Sequence, residues 1–214
     1  VTCVQKRSDK SLFNAEFCYR ELPLKIDPFD NAAFVANPMA FHVVTTDCKT
    51  GRPVYTRIDS VDETALDWIQ ASASMPLVAR PVAVGGGLHL DGGLSDGIPL
   101  KYFESIGYAR NVVITTRPHG YRKFPSVKIA LLKPFLRKHP AIYRALRTRH
   151  EWYNATLEYI DRRVAAGAAI LIAPEAPLPI SRVCHDPDRM QRVYDLGRAA
   201  GEKALQKVVS FLSA

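Results

Sequence analysis

The sequence predicts an α/β fold, and three observations carry that prediction. Phe41 to Thr46 is rich in β-branched residues, Lys49 to Pro53 is a turn and Val54 to Ile58 returns, which is the layout of a hairpin. Leu88 to Leu90, the stretch from Pro99 to about Ile106, and Asn111 to Thr116 read as strand, helix and strand. A unit of about 30 residues in that order is a βαβ motif and predicts parallel pairing of its strands. Finally, two long stretches, Pro140 to about Ala166 and Asp186 to Phe211, read as helices flanking the short strand AAILIAP.

The remaining elements follow in order. The opening segment, through Leu12-Phe13 and Phe17-Cys18-Tyr19, is loosely amphipathic and ends at Leu22-Pro23-Leu24. In KIDPFDNAAF, Pro28 and Asp30 ahead of an apolar pair predict a turn and then a short helix. Val61 to Ser74 places Val61, Ala65, Trp68 and Ile69 at helical spacing, and Asp62 and Glu63 suit a helix N-terminus. MPLVARPV is a Pro-punctuated loop leading through Gly85-Gly86-Gly87 into the strand at Leu88. Pro99 fits the first helical position, with Asp96 or Gly97 leading into it. Beyond Pro125, SVKIALLKPFLRKHP predicts a basic amphipathic helix over 126–137, broken near Pro134, and Gly167 closes the long helix after it. No internal repeat or low-complexity linker interrupts the chain.

Composition narrows the function classes. With 214 residues, 47% hydrophobic and 23% charged, the chain reads as a soluble globular protein with one sizeable core, or one domain with an appended subdomain. No apolar run approaches the ~18 residues of a membrane span. Cys3, Cys18, Cys48 and Cys184 are scattered without a C-x-x-C pair, which predicts reduced thiols and a cytoplasmic setting rather than a zinc site or disulfide framework. His42, His89, His119, His139, His150 and His185 have no ligand spacing, so no metal or cofactor is expected. The opening VTCVQKRSDK has neither an initiator Met nor a signal-peptide layout, which predicts an interior portion of a longer protein.

The net charge of +8 is concentrated: from Arg110 to Arg149 there are 11 Lys or Arg residues and no Asp or Glu. Such a stretch is either a solvated basic face or a surface for anionic lipid headgroups, giving peripheral contact with a membrane. Nucleic acid is not expected as a partner, because no recognition-module signature or aromatic stacking platform accompanies the charge.

The stretch LDGGLSDGIPL holds the candidate chemistry. Gly93-Leu94-Ser95-Asp96-Gly97 fits the G-x-S-x-G pattern of a nucleophile elbow. An elbow needs a buried strand running into the serine and a helix starting just after it. Here Asp91 and Gly92 precede the pattern and Pro99 follows four residues after Ser95, so Ser95 reads as a serine in a Gly-rich turn. Asp91 is the stronger candidate. It sits at the carboxyl end of an apolar strand, and Gly92 and Gly93 permit unusual backbone conformations and leave space beside its carboxylate. His89, two residues earlier on the same strand face, makes a His–Asp relay conceivable, although neighbours on one strand lack the end-to-end contact of a triad. Asp96 reads chiefly as a helix N-cap before Pro99, and otherwise as a carboxylate supporting Asp91 from behind.

Three segments in order, QASASMPLVARPV, LHLDGGLSDGIPL and GYARNVVITTRPHGYRK, resemble the latter half of the patatin-like phospholipase family. The Ala-Ser-x-x-x-Pro segment is Ala71 to Pro76, the Asp-Gly-Gly motif is Asp91-Gly92-Gly93, and Asp96 and Pro99 follow as they commonly do in that family. SLFNAEFCYRELPLKIDPFD and RHEWYNATLEYI with PLPISR are similar to a bacterial branch with a C-terminal extension. The resemblance implies a three-layer α/β/α sheet, incomplete in this chain. Residues 1–125 would be the latter portion of the catalytic domain, and 126–214 a helical extension with one strand. It implies a lipid acyl-ester hydrolase using a Ser-Asp dyad, with Asp91 as the base and no cofactor. The serine's elbow and a Gly-rich oxyanion loop would lie upstream, in a segment outside these residues, so that the 214 residues alone are expected to be inactive. The alternative is a non-catalytic short form that serves as a protein- or lipid-interaction module.

Overall fold

In the computed structural model, residues 14–181 and 184–213 are described; Cys3 and the Leu12-Phe13 start of the opening segment lie outside them. The chain forms two compact units, residues up to Gly97 with Pro125–Arg149, and Ile98–Phe124 with the residues from His150 onward.

In the first unit the β-branched runs pair as expected. Strands β1 (Phe41–Asp47) and β2 (Pro53–Ile58) form an antiparallel hairpin with Val43 opposite Thr56 and Thr45 opposite Val54. Helix α1 (Asn31–Ala36) begins at Asp30, whose carboxylate accepts the Ala33 N–H at 2.8 Å. Helix α2 (Glu63–Ser72) begins in the same way at Asp62, which accepts from Ala65 N–H, also at 2.8 Å. The amphipathic opening is helical over Phe17–Ile26 despite Pro23, with the wider i→i+5 pattern, as in the Asp27 N–H to Leu22 carbonyl bond of 2.9 Å.

The Pro-punctuated loop runs into a strand that periodicity missed. Val82–Val84 (β3) pairs antiparallel with Gly87–Asp91 (β4) around a turn at Gly85 and Gly86, both at positive φ. Strand β4 also pairs antiparallel with β1, giving a four-stranded sheet in the order β2-β1-β4-β3. Two of the clusters that pack against it bear on the site. One joins Val43, Ile58 and Ala65 with Phe34, Trp68 and Ile69. The other joins Cys48, Leu90, Leu94, Leu136 and Ile142.

In the second unit, α3 (Leu100–Ser105) precedes β5 (Asn111–Ile114), which pairs in parallel with β6 (Ala169–Ile172). Leu100, Val113 and Ile160 are its buried centre. Helix α4 (Pro140–Ala165) starts in the first unit and continues in the second, where Gly167 at φ +68° ends it as predicted. Helix α5 spans Pro187–Ser213.

The mixed α/β class with a largely helical C-terminal part is as expected. The predicted βαβ unit is not formed: β4 lies in the antiparallel sheet, and β5 takes β6, not β4, as its parallel partner. The crossover helix of that parallel pair is α4. The predicted helix over 126–137 is also corrected. Val127–Leu132 is a 3₁₀ stretch followed by turns, because Pro134 has no N–H for a regular ladder.

Candidate active site

Asp91 is the last residue of β4, where the chain leaves the sheet in a tight 3₁₀ turn over Gly92–Leu94. Its Oδ1 accepts the N–H of Gly93 at 2.6 Å, so the side chain caps the turn that its own backbone opens. The backbone of the turn is held from several sides. The Asp91 N–H donates to the Ser74 carbonyl at 2.9 Å, just past the end of α2. The Asp91 carbonyl accepts the Thr46 hydroxyl at 2.8 Å, and the Gly93 carbonyl accepts the Arg149 Nε–H at 2.6 Å. The Gly92 carbonyl accepts the N–H groups of Ser95 and Asp96 at 3.0 and 2.8 Å. A carboxylate on such a turn is aimed before any substrate arrives.

The two glycines are explained by space. Neither is among the residues at positive φ, which corrects the expectation of unusual backbone conformations. A Cβ on buried Gly92 would lie 2.3 Å from the Val44 carbonyl oxygen, so glycine is what lets the turn pack directly on β1. A Cβ on Gly93 would lie 2.9 Å from Asp91 Oδ1 and 3.2 Å from Arg149 Nη2, so this glycine leaves room for the carboxylate and the guanidinium.

Ser95 follows the turn, and its Oγ is 2.8 Å from Thr46 Oγ1. Since the Thr46 proton goes to the Asp91 carbonyl, the Ser95 hydroxyl is the donor in that pair. Asp96 does not cap α3. That helix starts after Pro99 without a side-chain cap, while Asp96 Oδ2 accepts the Tyr55 hydroxyl of β2 at 2.6 Å. The three residues Gly97, Ile98 and Pro99 separate it from the helix, too many for an N-cap.

His89 is 4% exposed, its Nδ1 3.1 Å from Thr45 Oγ1 and its ring edge-on to Trp68 at 4.7 Å. Burial pushes its imidazole below the ordinary value, partly opposed by the Asp47 carboxylate. A neutral, buried histidine bonded to threonine supports the sheet rather than relaying charge to Asp91. Burial likewise pushes the neighbouring Cys48 thiol up to about 11. Among the described residues, no group of three His, Cys, Asp or Glu side chains is placed to hold a metal ion.

The structure therefore brings Asp91, Gly92 and Gly93 together with three residues that sequence reasoning did not single out: Thr46, Ser74 and Arg149. Ser74 falls inside the Ala71–Pro76 segment, which was the one available signal. Thr46 and Arg149 carry no local mark.

Residues 5–104 match the family described as patatin-like phospholipase, and residues 139–213 match a domain of unknown function, DUF6363. No curated protein matches the chain. The second match fits a C-terminal extension beyond the patatin-like region. The match over residues 5–104, which contain the Asp91 turn, supports a patatin-like family for this part of the chain.

Proposed function

We propose that this protein is part of a lipid acyl-ester hydrolase in which Asp91 is the general base of a Ser-Asp dyad. The observation that supports this most directly is the Asp91 turn itself, inside the family-matched region: the carboxylate accepts the Gly93 N–H, and the backbone of the turn is held by Thr46, Ser74 and Arg149. The serine is the one the resemblance places upstream, in an N-terminal segment of the same protein. Asp91 takes the proton from its hydroxyl as the oxygen attacks the ester carbonyl, and returns that proton to the departing alcohol. The acyl-serine is then hydrolysed by a water that gives its proton to the same carboxylate, which passes it to the departing serine oxygen as the acid is released. Ser95 is not the nucleophile in this reading, because its hydroxyl is committed to Thr46.

The substrate class is a carboxylic ester of a lipid, met in the cytoplasm at a membrane surface. The scatter of Cys3, Cys18, Cys48 and Cys184 without a C-x-x-C pair supports the cytoplasmic setting. Among the described residues no helix is long and apolar enough to cross a membrane, so the contact proposed is peripheral. The test pairs a panel of short- and long-chain esters with fluorophosphonate labelling, on the protein carrying its upstream segment. Asp91→Asn keeps the shape of the side chain but removes the base, and turnover should fall by about 10²- to 10⁴-fold. An inert protein that resists the label, or an Asp91→Asn variant with unchanged turnover, would overturn the proposal.

A further inference from the structure

In the first unit, the segment from Pro125 to Lys138 divides its apolar side chains between two faces. Leu136 is buried and Leu132 packs beside it, against Cys48, Leu90, Leu94 and Ile142. Val127, Leu131 and Phe135, also four residues apart, are 89%, 72% and 74% exposed. The inward pair fixes the segment to the sheet that carries Asp91. The outward trio is therefore held in water by a well-packed base, a cost that only a covering partner removes.

The charges around the trio identify that partner. Lys128, Lys133, Arg137 and Lys138 are all exposed, and no acidic residue occurs from Pro125 to Arg149. We infer that this segment is an interfacial anchor for an anionic lipid bilayer. Val127, Leu131 and Phe135 enter the boundary between headgroups and acyl chains, and the four cations meet lipid phosphates around them. A nucleic acid would satisfy the cations, but two of the three outward side chains are aliphatic and give a base nothing to stack on. The anchor goes beyond the hydrolase reading, since it is a binding property that needs no turnover. Because Leu132 and Leu136 pack on Leu90 and Leu94, which bracket the Asp91 turn, docking would bring that turn to the lipid surface.

The test is co-sedimentation of the intact chain with vesicles of phosphatidylcholine alone or mixed with phosphatidylglycerol, at low and high salt. Binding should be confined to the anionic vesicles and fade with salt, because exposed charge attraction is screened beyond about 10 Å at 0.1 M. Replacing Lys128, Lys133, Arg137 and Lys138 by Ala should weaken it at least about tenfold. Val127→Ser, Leu131→Ser and Phe135→Ser together should also weaken it. All seven positions are exposed, and circular dichroism checks that each variant is folded. In a Phe135→Trp variant, brominated lipid should quench emission beyond the background of Trp68 and Trp152. Vesicle binding should survive Asp91→Asn, so failure of the anchor and failure of the hydrolase reading are separable. Negligible binding to anionic vesicles, binding by either multiple variant equal to that of the wild type, or an RNA oligonucleotide that displaces the protein from vesicles would overturn the inference.

Discussion

Arg149 on α4 donates from Nε to the Gly93 carbonyl at 2.6 Å, joining two residues 56 positions apart in the chain. The bond restrains the exit of the turn whose entrance is Asp91, so in the proposed reaction Arg149 would be a positioning residue. Arg149→Ala should lower kcat by about tenfold with little change in KM, as expected when a reacting group is misaligned. Arg149→Lys should restore part of the loss. Equal losses in kcat and in thermal stability for both variants would indicate a structural role only.

Gly92 and Gly93 should separate stability from activity. Gly92→Ala puts a methyl group 2.3 Å from the backbone oxygen of Val44, and β1 cannot retreat without losing its pairing with β4. We expect a loss of about 3 kcal/mol, seen as a lower urea midpoint. Gly93→Ala meets the tips of two side chains, Asp91 Oδ1 and Arg149 Nη2, which can turn aside. Its stability should fall less, while activity falls with the displaced carboxylate. The reverse order would show that Gly93 is the packing position.

The contrast between those glycines marks what the sequence disclosed. Asp91-Gly92-Gly93 was legible because a carboxylate followed by two glycines is a local pattern. Helix starts at Asp30 and Asp62 were legible because capping acts over three residues. Arg149, Thr46 and the partners of β4 and β5 were not, since each depends on residues brought together from distant parts of the chain. Strand β3 has only three residues after Pro81, too few for alternation to show. Asp96 misled for a related reason. A carboxylate shortly before a proline looks like a cap, but its partner is Tyr55, on a strand that no local pattern links to it.

Ser95→Ala tests the accidental motif. The substitution removes one hydroxyl hydrogen bond, to Thr46, and should cost about 1 kcal/mol of stability. Ester turnover and fluorophosphonate labelling should stay near wild type. Loss of labelling in this variant would make Ser95 the nucleophile and displace the upstream serine from the mechanism.

The last prediction is a pH dependence of stability that arises from His89. Burial holds its folded-state value below the ordinary 6.5, whereas in the unfolded chain it titrates near that value. Below pH 6.5 the unfolded chain therefore binds a proton that the folded state resists. The sign follows: the contribution is complete above the unfolded value and is lost as pH falls through the lower folded one. Urea midpoints of the wild type and His89→Asn, taken at about pH 7.5 and about pH 5, isolate this term. The wild-type advantage should shrink at the lower pH. A gap that stays constant, or widens in acid, would show that His89 does not couple protonation to folding.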